Sequence, residues 1–435
     1  MRAHDLKDKK IVIWGAGREG VAAARFIRKT LPAQPLDFVA ESGDGDSVDV
    51  DGIKERLVIT EEARNALLRS ADVVIKSPGV SLYHPFIQEL KHKGTKITSL
   101  LRLWLAELKN AKVICVTGTK GKSTSSALLA HVLNGLGHAT VLAGNIGIPI
   151  TDVAIDDAEY VVAETSSYQA ADVEEEIDYV LVTSLHEDHV DWHGSLETYR
   201  RDKLNLLKHA RVKIVQAQVA KYCIQDNLIL AGTDDGFHAR GDDVFFGVDK
   251  IGTMTNAYLA RAHNMQNVCL VLTLIKALGL DVVRALHAME DFKGLPHRQQ
   301  ELGVKNGILY VDDSIATMPQ AAMAAMNHYA DRPITLIAGG FDRGIDYAPL
   351  VGYIVANKIP SVVVLGPSGD RIFKALQGLG HRGIFKASSM LEAVTLAQKH
   401  TPQGGVVLLS PAAPSYGLFK DFVERGKAFA EAVAL

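Results

Sequence analysis

Cysteine is scarce: only Cys115, Cys223 and Cys269 occur in 435 residues. Their odd number and wide scatter give neither a disulfide framework nor a zinc-ligand spacing. All three have apolar neighbours, which predicts inert core thiols and a cytoplasmic protein. Long apolar runs are lacking too, since none reaches the ~18 residues a helix needs to span a bilayer. Positive charge is not in surplus: 47 Lys and Arg face 50 Asp and Glu, so the basic footprint of a nucleic-acid partner is missing. The opening MRAHDLKDKK passes from charges straight into IVIWG with no small-residue cleavage site, and no export signal is expected. Low-complexity tracts are also missing. What remains, 47% hydrophobic and 22% charged residues, is the composition of a globular enzyme-sized chain, with two to four domains expected from its length.

The stretch VICVTGTKGKSTSSALLAHVL, residues 113–133, organises the rest. A β-branched apolar run predicts a buried strand, and the apolar spacing after Ser123 predicts a helix. Between them lie Gly118, Thr119, Lys120, Gly121, Lys122, Ser123 and Thr124. Strand, glycine loop and helix offer backbone N–H groups and a helix N-terminus to phosphate oxygens. Lys122 would supply the mobile cation and the Ser123 hydroxyl a magnesium ligand. The common pattern has glycine five places before the second glycine, where Val116 stands. The loop therefore reads as a shortened variant beginning at Gly118, and its alternative is a plain strand-to-helix turn.

The chain predicts an α/β protein of three domains: residues 1–98, a nucleotide-type fold; 99–297, the phosphate-loop domain with a mostly parallel sheet; and 298–435, a further α/β domain. The first domain carries Gly15, Gly17 and Gly20 in a GxGxxG turn with Arg18 and Glu19 inside it, and Glu41 about twenty residues on. That is the dinucleotide fingerprint, although Arg18 could instead serve a phosphate directly, and the glycines could merely allow close packing. In the second domain, polar clusters follow predicted strands: GNIG (144–147), ETSSYQ (164–169) and HEDHVD (186–191). Open α/β sheets bind ligands at such carboxyl ends. Glu164 is the best placed carboxylate for the cation a phosphate loop needs, with His189 and Asp188 available for one or two magnesium sites. Zinc is disfavoured, because no further His or Cys stands at ligand spacing; His186 and His193 are expected to be structural. Arg298, after Gly-Leu-Pro-His, can clamp phosphate bidentately or form a surface ion pair. Asp313 can accept from a ribose and Arg343 can hold a carboxylate.

With these residues assembled, the chain resembles the Mur ligases, ATP-dependent amide ligases of peptidoglycan precursor synthesis, and within them the MurD type that adds glutamate to UDP-N-acetylmuramoyl-L-alanine. VTGTKGKST, GNIG, ETSSYQ, EDHVDWHGSLETYRRDK (187–203), HN (263–264), GLPHR (294–298), DDSIAT (312–317) and LLSPAAPSYGLFKDFVERG (408–426) match in order. The resemblance implies that Gly118, Thr119, Lys120, Gly121, Lys122, Ser123, Thr124, Asn264, Arg298 and Asp313 bind ATP. It implies that Ser123 and Glu164 hold one magnesium and His189 a second, with Lys203 carbamylated and bridging to that second ion; manganese is the alternative metal. Lys122, Glu164, His189 and Lys203 become the catalytic set. Gly15, Gly17, Arg18, Glu19 and Gly20 would hold the UDP moiety, which removes the need for NAD, while Asn145, Ser166 and Gln169 would face the muramoyl-alanine. Thr317, Arg343, Ser415, Tyr416 and Phe422 would form the glutamate pocket. The implied chemistry is an acyl phosphate made from ATP and displaced by the glutamate amine, in a cytoplasmic monomer.

Departures bear on the amino acid. Ile315 stands where DSKAT has lysine, Met318-Pro319 follows, and Arg343 replaces a frequent lysine. These features, with REG in the first turn and SPAAPSYG, look like the subgroup that uses L-glutamate. D- and L-glutamate both stay open at this point. A folylpolyglutamate-type or other Mur-type ligase, an NAD-binding oxidoreductase and a phosphate-loop switch are the rival readings.

Overall fold

The computed structural model describes residues 1–41, 45–144, 149–187 and 190–433. Two compact units divide the chain, Met1–Phe292 and Lys293–Leu435. Among the described residues, no helix is long and apolar enough to cross a membrane.

Among the described residues, the first unit holds two six-stranded sheets and a small antiparallel one. Across the first large sheet the strands run Ser47–Val50, Ile53–Val58, Leu36–Val39, Ile11–Trp14, Val73–Lys76 and Lys96–Thr98. All pairs are parallel except the hairpin of the first two. Its turn is Asp51-Gly52, with φ of 53° and 86°, the doubly left-handed geometry that matches strand twist. That hairpin falls where no strand is expected from the sequence. The sequence over 35–41 predicts a strand; it stops at Val39, leaving Glu41 exposed.

The second large sheet is wholly parallel and runs Leu228–Ala231, Ala210–Gln216, Ile177–Val182, Lys112–Thr117, Tyr160–Glu164 and Thr140–Gly144. After Lys112–Thr117 the chain places Thr140–Gly144 and Tyr160–Glu164 on one side and Ile177–Val182, Ala210–Gln216 and Leu228–Ala231 on the other, so chain order reverses there and a crevice opens at its carboxyl end. The strands are apolar along their length because helices cover both faces. Leu128, Leu129, Val132 and Leu133 pack with Leu270, Val271, Leu274 and Ile275 on one face, and Tyr199, Leu206 and Leu207 lie in the cluster on the other. Residues 235–250, rich in Gly and Asp, predict hairpins, and residues 237–253 form three antiparallel strands.

The second unit is one six-stranded sheet: Gln300–Lys305, Ile308–Asp312, Val406–Leu409, Ile334–Gly339, Ser361–Leu365 and Ile384–Lys386. Only Gln300–Lys305 is antiparallel. It joins its partner through Asn306-Gly307, φ 54° and 74°, again a left-handed two-residue turn.

Candidate active site

The loop between Thr117 and Lys122 is held from below. Gly118 has φ +144°, and a Cβ there would lie 2.0 Å from Thr183 Oγ1 and 2.9 Å from the Ser184 nitrogen, so only glycine fits. Thr119 N–H donates to Ser184 O (2.8 Å), and Lys120 N–H donates to Ser184 Oγ (2.8 Å). The Thr183 hydroxyl donates to Lys120 O at 2.6 Å. Gly121, φ +87°, forms the N-cap of the helix Lys122–Gly135, and a Cβ there would meet Asn267 Oδ1 at 2.6 Å. Asn267 accepts from Ser125 Oγ (3.1 Å) and donates to Asn264 Oδ1 (3.2 Å), while Asn264 Nδ2 donates to Tyr258 O (2.8 Å). The helix Ala262–Ala277 thereby braces the loop. Lys122 Nζ donates to Thr119 O at 3.2 Å; Thr119 and Thr124 are buried, Ser123 is half-buried and Lys120 is exposed.

Glu164 ends its strand beside this loop, paired in register with Val116. It is 4% exposed, and its Oε2 meets no hydrogen-bond partner among the described residues. A buried carboxylate oxygen left without a donor is costly unless a cation or water serves it. With the Ser123 hydroxyl on the adjoining helix, the donor set is hard oxygen, as magnesium prefers. These residues fit the ion. His189, Asp188 and Asn145 lie outside the described residues.

Lys203 closes the helix Leu196–Lys203 and is 2% exposed. Its Nζ donates to Gly118 O at 2.8 Å and stands 5.1 Å from the Tyr199 ring centre. The Tyr199 hydroxyl meets Thr119 Oγ1 at 2.7 Å, and Thr119 Oγ1 also accepts from His186 N–H at 2.9 Å. One turn of one helix thus touches the phosphate loop twice. Ser166 caps the short helix Ser167–Ala170, accepting from Gln169 N–H while Gln169 Oε1 accepts from Ser166 N–H (3.0 Å), a reciprocal capping box.

In the first sheet, Gly15 has φ +123°, and its Cβ would collide with Ser77 Oγ at 2.3 Å; a Cβ on Gly20 would lie 1.9 Å from Gly15 O. Gly17 caps the helix Arg18–Thr30, so its first N–H groups face outward. Arg18 is exposed there, and burial, aided by Asp152, pushes the Glu19 carboxyl above its ordinary value.

In the second unit, Asp313 is 4% exposed and accepts from Ser410 Oγ (2.7 Å) and Gln299 N–H (3.1 Å). Burial pushes it up to about 6 despite those donors. Arg298 and Thr317 are half-buried; Arg343 and Tyr416 are exposed, and Ser415 is buried. Phe422 opens the helix Phe422–Val433, with its ring edge-on to His297. Sequence reasoning missed Arg425. Its enclosed guanidinium, lowered to about 10 by burial, donates to Ser314 Oγ, Ser314 O and Ala413 O and fixes the two loops that carry Asp313 and Ser415. It also missed Asn267, although Asn264 and Asn267 share a helix face three residues apart.

The fold and site define a phosphate-loop α/β protein, and comparisons with known proteins name the class. Residues 9–99 match the Mur ligase MurD-like N-terminal domain, 116–273 the Mur ligase middle domain, and 297–413 the Mur ligase glutamate ligase domain. A UDP-N-acetylmuramoyl-L-alanine–L-glutamate ligase of Micromonospora sp. is 39% identical over 448 residues, 100% of this chain and 98% of that protein. The protein of the same name from Xanthomonas euvesicatoria is 38% identical over 458 residues, 99% and 96% of the two chains. The chain belongs to the Mur ligase family. Among solved structures, the UDP-N-acetylmuramate–alanine ligase MurC of Thermotoga maritima shares the fold at 20% identity, TM-score 0.58, over 98% of this chain and 99% of its own. MurF of Acinetobacter baumannii does so at 16% identity and TM-score 0.55, over 95% and 88%.

Proposed function

We propose that this protein is an ATP-dependent UDP-N-acetylmuramoyl-L-alanine–L-glutamate ligase acting in the cytoplasm as a monomer. The observation that carries the reading is its end-to-end likeness to ligases bearing that name. Their shared L-glutamate designation, together with Ile315 and Arg343, favours the L enantiomer over D. The proposed domains keep the bounds 1–98, 99–297 and 298–435; the three family matches and the separate sheets support them.

The residues suggest the following division of labour. Gly118–Thr124 N–H groups and Lys122 cradle the phosphates of ATP, with Asn264, Arg298 and Asp313 as further nucleotide contacts. Ser123 and Glu164 hold magnesium, or manganese in its place, with His189 and a carbamylated Lys203 serving a second ion. Such ions offset the charge that gathers as a phosphoryl group moves. Gly15, Gly17, Arg18, Glu19 and Gly20 bind the UDP end of the acceptor, and Asn145, Ser166 and Gln169 its muramoyl-alanine end. Thr317, Arg343, Ser415, Tyr416 and Phe422 hold the amino acid. The γ-phosphoryl of ATP passes to the alanyl carboxylate, the amine attacks that carbon, and phosphate leaves as the amide forms. Lys122 neutralises the oxygen charge on the moving phosphoryl group, and the buried Thr119–Ser184 contacts keep the loop in shape while it does so.

The test is mass spectrometry of the product formed from ATP, UDP-N-acetylmuramoyl-L-alanine and one enantiomer of glutamate. The expected result is the glutamyl adduct with L-glutamate and little with D-glutamate. The reverse preference would overturn the assignment of the amino acid.

A further inference from the structure

The helix that presents Lys203 and Tyr199 to the phosphate loop has a third buried residue, Asp202, which is 4% exposed and points elsewhere. Its carboxylate accepts from the Tyr83 hydroxyl at 2.7 Å and 2.8 Å, one contact to each oxygen, and Oδ2 lies 2.7 Å from His193 Nδ1. A carboxylate can only accept, so Nδ1 carries the proton, and Nε2 meets Ser167 Oγ at 3.0 Å. Serine, histidine and aspartate in this order have the geometry of a hydrolytic triad. Here Ser167 and His193 are each 2% exposed, so no substrate carbonyl can reach the hydroxyl and the group serves as a brace.

Tyr83 lies in the first sheet's domain, 119 residues away in sequence from Asp202. Burial and the Asp202 carboxylate push its hydroxyl up to about 12, which keeps it a donor, while Arg201 Nη2 donates to its oxygen at 2.8 Å. The same loop grips the neighbouring segment independently. Trp192 Nε1 donates to Pro78 O (3.1 Å) and Gly79 O (3.2 Å), and Ser81 Oγ donates to Trp192 O (2.8 Å). Tyr168 stacks on the Trp192 ring at 4.7 Å and 20°. Residues 78–83 of the first domain are therefore bonded both to the segment after the HEDHVD cluster and to the helix bearing Lys203.

We propose that Tyr83 is a positioning residue for the ligase reaction: through the buried Asp202 carboxylate it fixes the register of the helix Leu196–Lys203, and so the seating of Lys203 and Tyr199 against the phosphate loop. The inference rests on the ligase reading above and adds a route by which the acceptor-binding domain sets the geometry of the nucleotide site. Hydrogen bonds to a buried charge are strong and directional, and the helix can shift along its axis only by breaking this one. Tyr83→Phe removes a single oxygen and keeps the ring that packs edge-on to Trp192 at 6.2 Å.

The experiment compares wild type, Tyr83→Phe, Asp202→Asn and the double variant, first in ligase turnover and then in hydrogen exchange of the free protein. Tyr83→Phe is expected to lower kcat about tenfold, which corresponds to ~1.4 kcal/mol of lost transition-state positioning. KM for the UDP acceptor should stay within twofold. The double variant should be no slower than Asp202→Asn alone, since both act through one bond. Exchange should rise in residues 196–204 and stay unchanged in the strand Ile11–Trp14. A kcat within twofold of wild type, a rise confined to the acceptor KM, additive effects, or unchanged exchange in 196–204 would each overturn the proposal. Exchange is read without substrate, so it judges Tyr83 even if wild type forms no glutamyl product, a result that would instead bring down the ligase reading.

Discussion

Replacing Gly118 by alanine tests the phosphate loop at its tightest point. The new Cβ would lie 2.0 Å from Thr183 Oγ1, 2.9 Å from Ser184 N and 3.1 Å from Ser184 O, against ordinary contacts of about 3.4 Å or more. Thr183 cannot rotate away freely, because its hydroxyl donates to Lys120 O and lies 3.2 Å from Thr117 O. The two Ser184 atoms are backbone, and Ser184 O already accepts from Thr119 N–H at 2.8 Å. A β-carbon at φ +144° adds strain of about 1–3 kcal/mol, and overpacking adds about 1–3 kcal/mol more. Together they predict a loss of about 2–6 kcal/mol, shared between stability and a distorted loop. Urea unfolding of the first unit should show the stability share, and calorimetric titration with Mg·ADP should show at least a tenfold weaker nucleotide. Gly352→Ala is the control: its Cβ would meet nothing within 4 Å and its backbone is helical, so the second unit should gain about 0.4–1 kcal/mol. If Gly118→Ala bound nucleotide as wild type does and unfolded at the same urea concentration, the loop would not have the packing described.

Lys122→Ala should abolish ligase turnover while UDP-acceptor binding, followed by calorimetry, stays within twofold. For Asp313 the folded value of about 6 lies above the ordinary value of 3.8. The folded state therefore binds more protons than the unfolded state between about pH 4 and 6, and stability of the second unit falls as pH rises through that window, by about 3 kcal/mol. Asp313→Asn should flatten that slope in urea titrations across pH 4–7. Burial pushes the Cys115 and Cys269 thiols up to about 12, whereas Cys223 is only half-buried. A thiol reagent at pH 8 should label Cys223 first and the other two only on unfolding.

Much of this architecture is written locally in the chain. The strand Lys112–Thr117, its glycine turn and the helix Lys122–Gly135 follow from apolar runs and two glycines, and the strands Tyr160–Glu164, Ile308–Asp312 and Ser361–Leu365 fall where their β-branched runs predict. The antiparallel strands Ser47–Val50 and Gln300–Lys305 are harder to see, because edge strands with polar alternation give weak hydrophobic patterns. Asp51-Gly52 and Asn306-Gly307 were nevertheless the readable sign of both hairpins. At the candidate site, motif residues supply the groups that would meet ligand, but not what holds them. The contacts Lys120–Ser184, Ser125–Asn267, Tyr83–Asp202 and His193–Ser167 join residues 26 to 142 positions apart. No spacing rule links such positions; only the folded sheets bring them together.

The central claim is that this chain spends ATP to join an acceptor carboxylate to an amino acid, and phosphate release under omission tests it most directly. With ATP, magnesium, UDP-N-acetylmuramoyl-L-alanine and L-glutamate all present, release should proceed one for one with amide product, and fall to background when either the acceptor or glutamate is left out. Release that ignores both, or no release with everything present and either enantiomer supplied, would contradict the account.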